Sequence, residues 1–481
     1  MVGGWAVTTT EEESLPSSQD APHSSDPDRT GRRMPRRTVA ALAGLLLLVT
    51  ASAGAGALLR PWRQLSSQVP LDTPPAAEVS ASAPAAAHWL STGIVPGTGT
   101  PSEPMIRRAL LDLHLLTTSQ GAATAGRSRM WRYVWPRDAA FVAAAFARTG
   151  HRDDALAVLE YLQRMPFGSQ GFEARYLPDG SGAVPDTRGP ELDSAGWVLW
   201  ASGQLAATEP DPAARRAIVT RLAPMIERCS AFTLRVTRQG RVLPPASKDY
   251  WEVPEQTVTL GVAAPLLAGL QASMRLHLAL ADTAAAETDA VAADRLAATI
   301  RARFGPGYPR RPGGDRRDAA IAFLLPPFVE GTPDPALLGA WRAVQIEAAR
   351  PAGGLAPGAG WKDDGVSWTP ETALFALTAA ATGDRPTAQR WLTWLAAHRT
   401  AQGALPEKVL ADGSPAAVAP LAWTAASVVL TAVVLDATAP ESARSRPPTP
   451  DAVVPAPASP PNSGPVTEGT QTPPEIPSPG R

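Results

Sequence analysis

Cysteine is almost missing from this 481-residue chain: Cys229 stands alone, which excludes an intrachain disulfide framework. It falls in an apolar helical pattern, the setting of a buried, inert thiol. Histidine is scarce as well, and His23, His88, His114, His151, His277 and His398 form no pair at ligand spacing, so neither a metal nor a cofactor is expected. The formal net charge is only -1, and no basic face with interleaved aromatics lies in the central region, which argues against a nucleic-acid partner. Alternating strand patterns are nearly absent too, and this leaves helices to build the fold.

What the chain does have in excess is proline. Its 44% hydrophobic content suits a globular core, but 51 prolines are too many for one. They crowd the ends. Residues 60–101 are rich in Pro, Ala, Ser and Thr, and 439–481 richer still in Pro and Ser, so both read as extended, solvated segments. Residues 1–37 are polar and end in Arg32, Arg33, Arg36 and Arg37, directly before the apolar run 38–59. At about 1.5 Å per residue that run spans roughly 33 Å, enough for a bilayer core. Basic residues before it hold the N-terminus in the cytoplasm and place the remainder outside, as a single-pass membrane protein. A cleaved secretory signal is the competing reading, because "ASAGAGA" offers small residues suited to cleavage.

The folded part is then 102–438, where apolar residues recur at helical spacing in about a dozen segments. Six of these are Ala-rich and apolar on most faces, as expected of helices buried all round. They begin near Asp138, Ser194, Gln256, Asp318, Thr369 and Leu421, at intervals of roughly 50 to 60 residues, enough for one helix out and one back. Six inner helices ringed by six outer ones make an all-α, (α/α)6 barrel. A solenoid of helix pairs would need a repeated consensus, and none is present.

In such a barrel the N-terminal ends of the inner helices converge on one mouth. The segments just before them are "YVWPRD" (133–138), "GPELD" (189–193), "KDYWE" (248–252), "GGDRRD" (313–318), "WKDDGVSW" (361–368) and "LPEKVLADG" (405–413). Together they describe an acidic pocket lined with aromatics. That mixture suits a sugar: aromatic faces cover the C–H faces of a pyranose, while carboxylates and guanidinium groups bond its hydroxyls. Glycoside hydrolysis also needs paired carboxylates, one protonated and one ionised.

These segments resemble the glucoamylase-like enzymes of glycoside hydrolase family 15. "YVWPRDAAFVAAAFARTGH" is similar to that family's first active-site segment, "KDYWE" to its general-acid segment and "GALPEKVLADGSPAAVAPLAWTAASVVLTA" to its general-base segment, in order over roughly 121–435. The resemblance implies that Glu252 is the general acid and Glu407 the general base. It also implies that Arg137 and Asp138 hold the non-reducing terminal sugar, with Trp135 and Trp251 packed around it. Asp193, Trp361, Asp364 and Trp423 complete the candidate substrate-binding set. Val253 follows Glu252 where many relatives carry a second acid, and Lys362 stands where arginine is common. Both departures bear on recognition of a second sugar.

Plainer roles compete. Glu252 and Asp138 could be first-turn acids of helices, Glu255 is read as one, and Asp412 is a rival base to Glu407. Trp197, Trp200, Trp391 and Trp394 read as core. The resulting expectation is an inverting, exo-acting α-glycosidase that releases glucose from short α-glucosides. A non-catalytic carbohydrate-binding envelope protein, a trehalose-hydrolysing relative and a lyase on the same barrel are the alternatives.

Overall fold

A computed structural model describes residues 83–439. They form helices α1 (Ala83–Ser91), α2 (Glu103–Leu116), α3 (Pro136–Arg148), α4 (Arg152–Arg164), α5 (Asp193–Ala207), α6 (Pro212–Val236), α7 (Leu260–Leu280), α8 (Thr283–Phe304), α9 (Pro335–Glu347), α10 (Thr369–Ala381), α11 (Arg385–Ala397) and α12 (Ala422–Ala437), with a 3-10 turn at Ala319–Leu324. Each of α3, α5, α7, the 3-10 turn, α10 and α12 packs on the next, and α12 returns to α3, so the inner ring closes. Helices α4, α6, α8, α9 and α11 each back the inner element before them in sequence, and α2 backs α12. The protein is an all-α barrel of helical hairpins.

Composition explains which helices lie inside. Twelve of the thirteen residues of α3 are buried, and six of them are Ala, small enough to let neighbouring inner helices approach. The outer helices differ at their starts: Asp211, Asp282, Asp334 and Asp384 cap α6, α8, α9 and α11 with side-chain hydrogen bonds. None of the five inner α-helices has a side-chain cap. Their first turns instead carry the acids Asp138, Asp193 and Glu371 toward the mouth of the barrel.

Helices α5 and α7 meet closely at glycines. A Cβ at Gly196 of α5 would lie 2.1 Å from the Pro265 carbonyl oxygen of α7, and one at Gly269 would lie 2.6 Å from Gly196 Cα. Gly196→Ala is therefore expected to destabilise the barrel by about 1–3 kcal/mol through overpacking, read from urea melts. Gly339→Ala is the control: a Cβ there meets nothing within 4 Å on outer helix α9, so this change should stabilise by about 0.4–1 kcal/mol.

Three expectations are corrected here. Residues 83–91, assigned to an extended linker, form α1, and Trp89 stacks between His114 and His151 with ring centroids 4.2 and 3.8 Å away. The fourth inner helix is only the six-residue 3-10 turn, because Pro326 and Pro327 follow at once and cannot extend it. Helix α7 begins at Leu260, not near Gln256, which leaves Glu255 in the preceding loop. There it pairs with Arg310 at 2.9 Å and Arg311 at 2.6 Å, so it is not a first-turn acid. No helix among the described residues is long and apolar enough to cross a membrane; the expected anchor, 38–59, lies outside them.

One small sheet sits among the mouth loops. Strands β1 (Ser367–Trp368), β2 (Lys408–Val409) and β3 (Pro415–Ala416) are antiparallel, with Trp368 opposite Lys408 and Lys408 opposite Ala416. It ties the start of α10 to the loop that carries Glu407.

Candidate active site

The loop before α7 is fixed by one buried carboxylate, Asp249. It accepts hydrogen bonds from Arg310 Nη2 (2.7 Å), Thr259 Oγ1 (2.7 Å) and the Trp251 backbone N–H (3.0 Å). Glu252 follows in the left-handed region, φ 52°, with its N–H on the Asp249 carbonyl at 2.7 Å. A non-glycine residue holds that conformation only where its surroundings impose it. Here the bend turns the Glu252 side chain toward α3, where Trp135 Nε1 donates to Oε1 at 2.8 Å. Its other oxygen pairs with Arg188, which also bonds Asp186, and 28% of the Glu252 side chain stays accessible.

Across the ring, Glu407 is held by both neighbours of its loop. Its N–H donates to the Val418 carbonyl at 2.8 Å and its carbonyl accepts from the Thr369 N–H at 3.0 Å. Trp131 Nε1 donates to its Oε1 at 3.1 Å, and Lys408 Nζ lies 3.3 Å from its Oε2. Both carboxylates thus receive an indole N–H from the segment 131–135.

Arg137 forms the floor. Its Nη1 donates to Glu191 at 2.8 Å and to Asp193 at 3.3 Å, its Nε is 3.7 Å from Asp138, and its Cζ is 5.4 Å from the Trp423 ring. Burial pushes Asp138 up to about 6, with the charge of Glu407 adding to the rise while Arg137 works against it. Burial also raises Glu191 and Asp193, again against the pull of Arg137. The same burial disfavours the Arg137 cation, but its three acids outweigh that and keep it charged. One guanidinium therefore serves three crowded carboxyls.

Aromatics make the remaining wall. Trp251 lies beneath the Arg310 guanidinium at 3.7 Å and meets Trp361 edge-on at 4.8 Å, and Trp361 meets Trp368 at 5.5 Å. The indole N–H groups of Trp251, Trp361, Trp368 and Trp423 are buried without hydrogen-bond partners, as are Glu191 Oε1, Asp193 Oδ1 and Glu371 Oε2. Buried polar atoms are ordinarily satisfied. Donors and acceptors left open in this number, between aromatic rings, suit a molecule carrying many hydroxyls.

Of the candidate residues, the structure draws together Trp135 with Glu252, Arg137 with Asp138, Asp193 and Trp423, and Trp251 with Trp361. Asp364 is not drawn in: its Oδ1 closes a local turn on the Val366 N–H at 3.1 Å. The rival Asp412 does the same with Ser414 on an exposed turn. Trp197 and Trp200 are core, although Trp197 Nε1 reaches Asp193 at 3.1 Å.

No family model matches the sequence, and no curated protein does. Solved structures do match. A wild-type glycosidase superposes with a TM-score of 0.58 at 20% identity, over 69% of this chain and 96% of that one. A bacterial glucoamylase complexed with acarbose gives 0.57 at 18%, over 69% and 55%. The glycoside hydrolase family 15 glucoamylase from Hypocrea jecorina gives 0.54 at 15%, over 69% and 71%. The fold is that of the glucoamylase-like six-hairpin glycosidases.

On this glucoamylase-like barrel, sequence reasoning overlooked four residues at the mouth. Trp131, Arg188 and Glu371 contact or face the candidate carboxylates, and Arg310 holds Asp249 and covers the Trp251 ring. Trp131 and Glu371 carried a signal, one lying four residues before Trp135 and the other in the first turn of an inner helix. Arg188 and Arg310 reach the site from loops and carried none.

Proposed function

We propose that the chain is an inverting, exo-acting glycoside hydrolase that removes terminal glucose from short α-glucosides. The observation that carries this reading is that two carboxylates, Glu252 and Glu407, each accept an indole N–H from the one segment 131–135, while buried indole N–H groups and carboxyl oxygens of the candidate residues are left open. In the proposed reaction Glu252 gives its proton to the leaving oxygen as the C–O bond breaks. Glu407 takes a proton from the water that attacks the opposite face of the ring. Arg137 and Asp138 hold the hydroxyls of the departing glucose. The acidic, aromatic mouth supports an oligosaccharide partner, and the basic-then-apolar stretch 32–59 supports a membrane-tethered, extracytoplasmic site.

Proton NMR of the purified protein with maltose, isomaltose, trehalose and longer malto-oligosaccharides, read at early times, tests the proposal. β-Glucose as the first product is the expected result and names the linkage. α-Glucose as the first monosaccharide released from the non-reducing end of the longer malto-oligosaccharides, or an unsaturated sugar, would sink the inverting assignment.

One observation favours a second reading. Arg188 pairs with Glu252 and competes with the proton that a general acid must carry. A protein that binds sugar without cleaving it needs no such proton. Binding of these sugars without turnover, unchanged by Glu407→Ala, would favour a non-catalytic carbohydrate-binding role.

A further inference from the structure

The base side of the pocket holds a carboxyl that this mechanism leaves unused. Glu371 lies in the first turn of α10 and is only 2% exposed. The start of that helix is bonded to the base loop: the Thr369 N–H donates to the Glu407 carbonyl at 3.0 Å, and the Thr369 hydroxyl donates to the Pro406 carbonyl. One residue earlier, Trp368 pairs with Lys408 in the small sheet. Glu371 is thus carried on the element that fixes Glu407. Its Oε2 is buried with no hydrogen-bond partner in the protein. An acid that served only the helix dipole would gain nothing from being buried in this way.

We propose that Glu371 is a positioning residue for Glu407, donating a hydrogen bond from its carboxylic acid to the water that Glu407 activates. The inference rests on the glycosidase reading above. Glu371 keeps its proton throughout, while the proton lost by the water passes to Glu407, so the step adds no charge and needs no co-reactant. Burial first, and then the negative charge of Glu407, push Glu371 up to about 8, while a bond from its own backbone N–H and the charges of Arg137 and Lys408 pull it down. Tyr250, from the loop before α7, also faces it. At neutral pH the acid is therefore protonated and able to donate. Above about pH 8 it ionises, loses its donor and sets a second negative charge beside the base.

The experiment compares full-length wild type, Glu371→Gln and Glu371→Ala on the α-glucoside that the NMR assay identifies, across pH 5 to 10. In Glu371→Gln the amide N–H replaces the O–H and does not titrate. Its kcat is expected within about threefold of wild type, with the fall near pH 8 removed. Glu371→Ala is expected to lose kcat about 100-fold with KM within about threefold. A fall near pH 8 that persists unchanged in Glu371→Gln overturns the proposal, even if the alanine variant fails to fold. Wild-type kcat and pH profile in Glu371→Ala would overturn it as well and leave the glycosidase reading standing. A wild type that turns over no α-glucoside removes both.

Discussion

Glu407→Gln is expected to lower kcat by about 10³-fold while changing substrate binding by no more than about threefold. The amide has the shape of the carboxylate and keeps the Trp131 indole N–H on its oxygen, so the loop has no reason to move. What is lost is the negative charge that takes the proton from water, and with it the pairing to Lys408 Nζ. Glu252→Gln should fall as far on a natural glucoside, because an amide has no proton to give the leaving oxygen. The two differ on a substrate whose leaving group needs no proton, such as α-glucosyl fluoride. There Glu252→Gln should recover most of its rate and Glu407→Gln should not. Equal rescue of both variants would mean that the roles of acid and base have been assigned wrongly.

What the sequence made legible follows from the geometry of a helical barrel. Inner helices are apolar on every face, so their positions could be read from periodicity, and the loops before them had to meet at one end. The segments that hold Trp135, Arg137 and Asp193 were located in that way, while the roles of Trp135 and Arg137 within them came from the resemblance to family 15 enzymes. The failures share a different cause. Glu255 stands in a stretch, "VPEQTVTL", that reads as a helix start, yet Thr259 spends its hydroxyl on Asp249 and the helix waits until Leu260. Arg188 and Arg310 lie in loops with no period, and besides the nearby Asp186 and Asp318 each reaches an acid 60 or more residues away, Glu252 for one and Asp249 for the other. Glu371 could be placed on a helix but not judged buried, since burial of an acid depends on the helices that surround it. Local patterns carry the scaffold, whereas the pairing of charges is decided by tertiary approach.

Arg137 should show the largest effect on stability. Arg137→Met is expected to cost about 3–5 kcal/mol at pH 8, because it leaves Glu191, Asp193 and Asp138 buried with no cation among them. The methionine fills much of the volume, so the loss is electrostatic and not a cavity. That origin fixes its pH dependence. Burial already raises these carboxyls, Asp138 to about 6, and a group whose folded pKa is raised contributes stability below its unfolded pKa that is lost as pH rises. Without Arg137 they rise further and stay protonated over a wider range, so the penalty should shrink toward pH 5 and grow toward pH 8. Urea melts of wild type and variant at the two pH values measure this directly. A loss below about 1 kcal/mol that is the same at both would mean the three acids are already neutral around Arg137, and that the guanidinium is kept for the sugar and not for the fold.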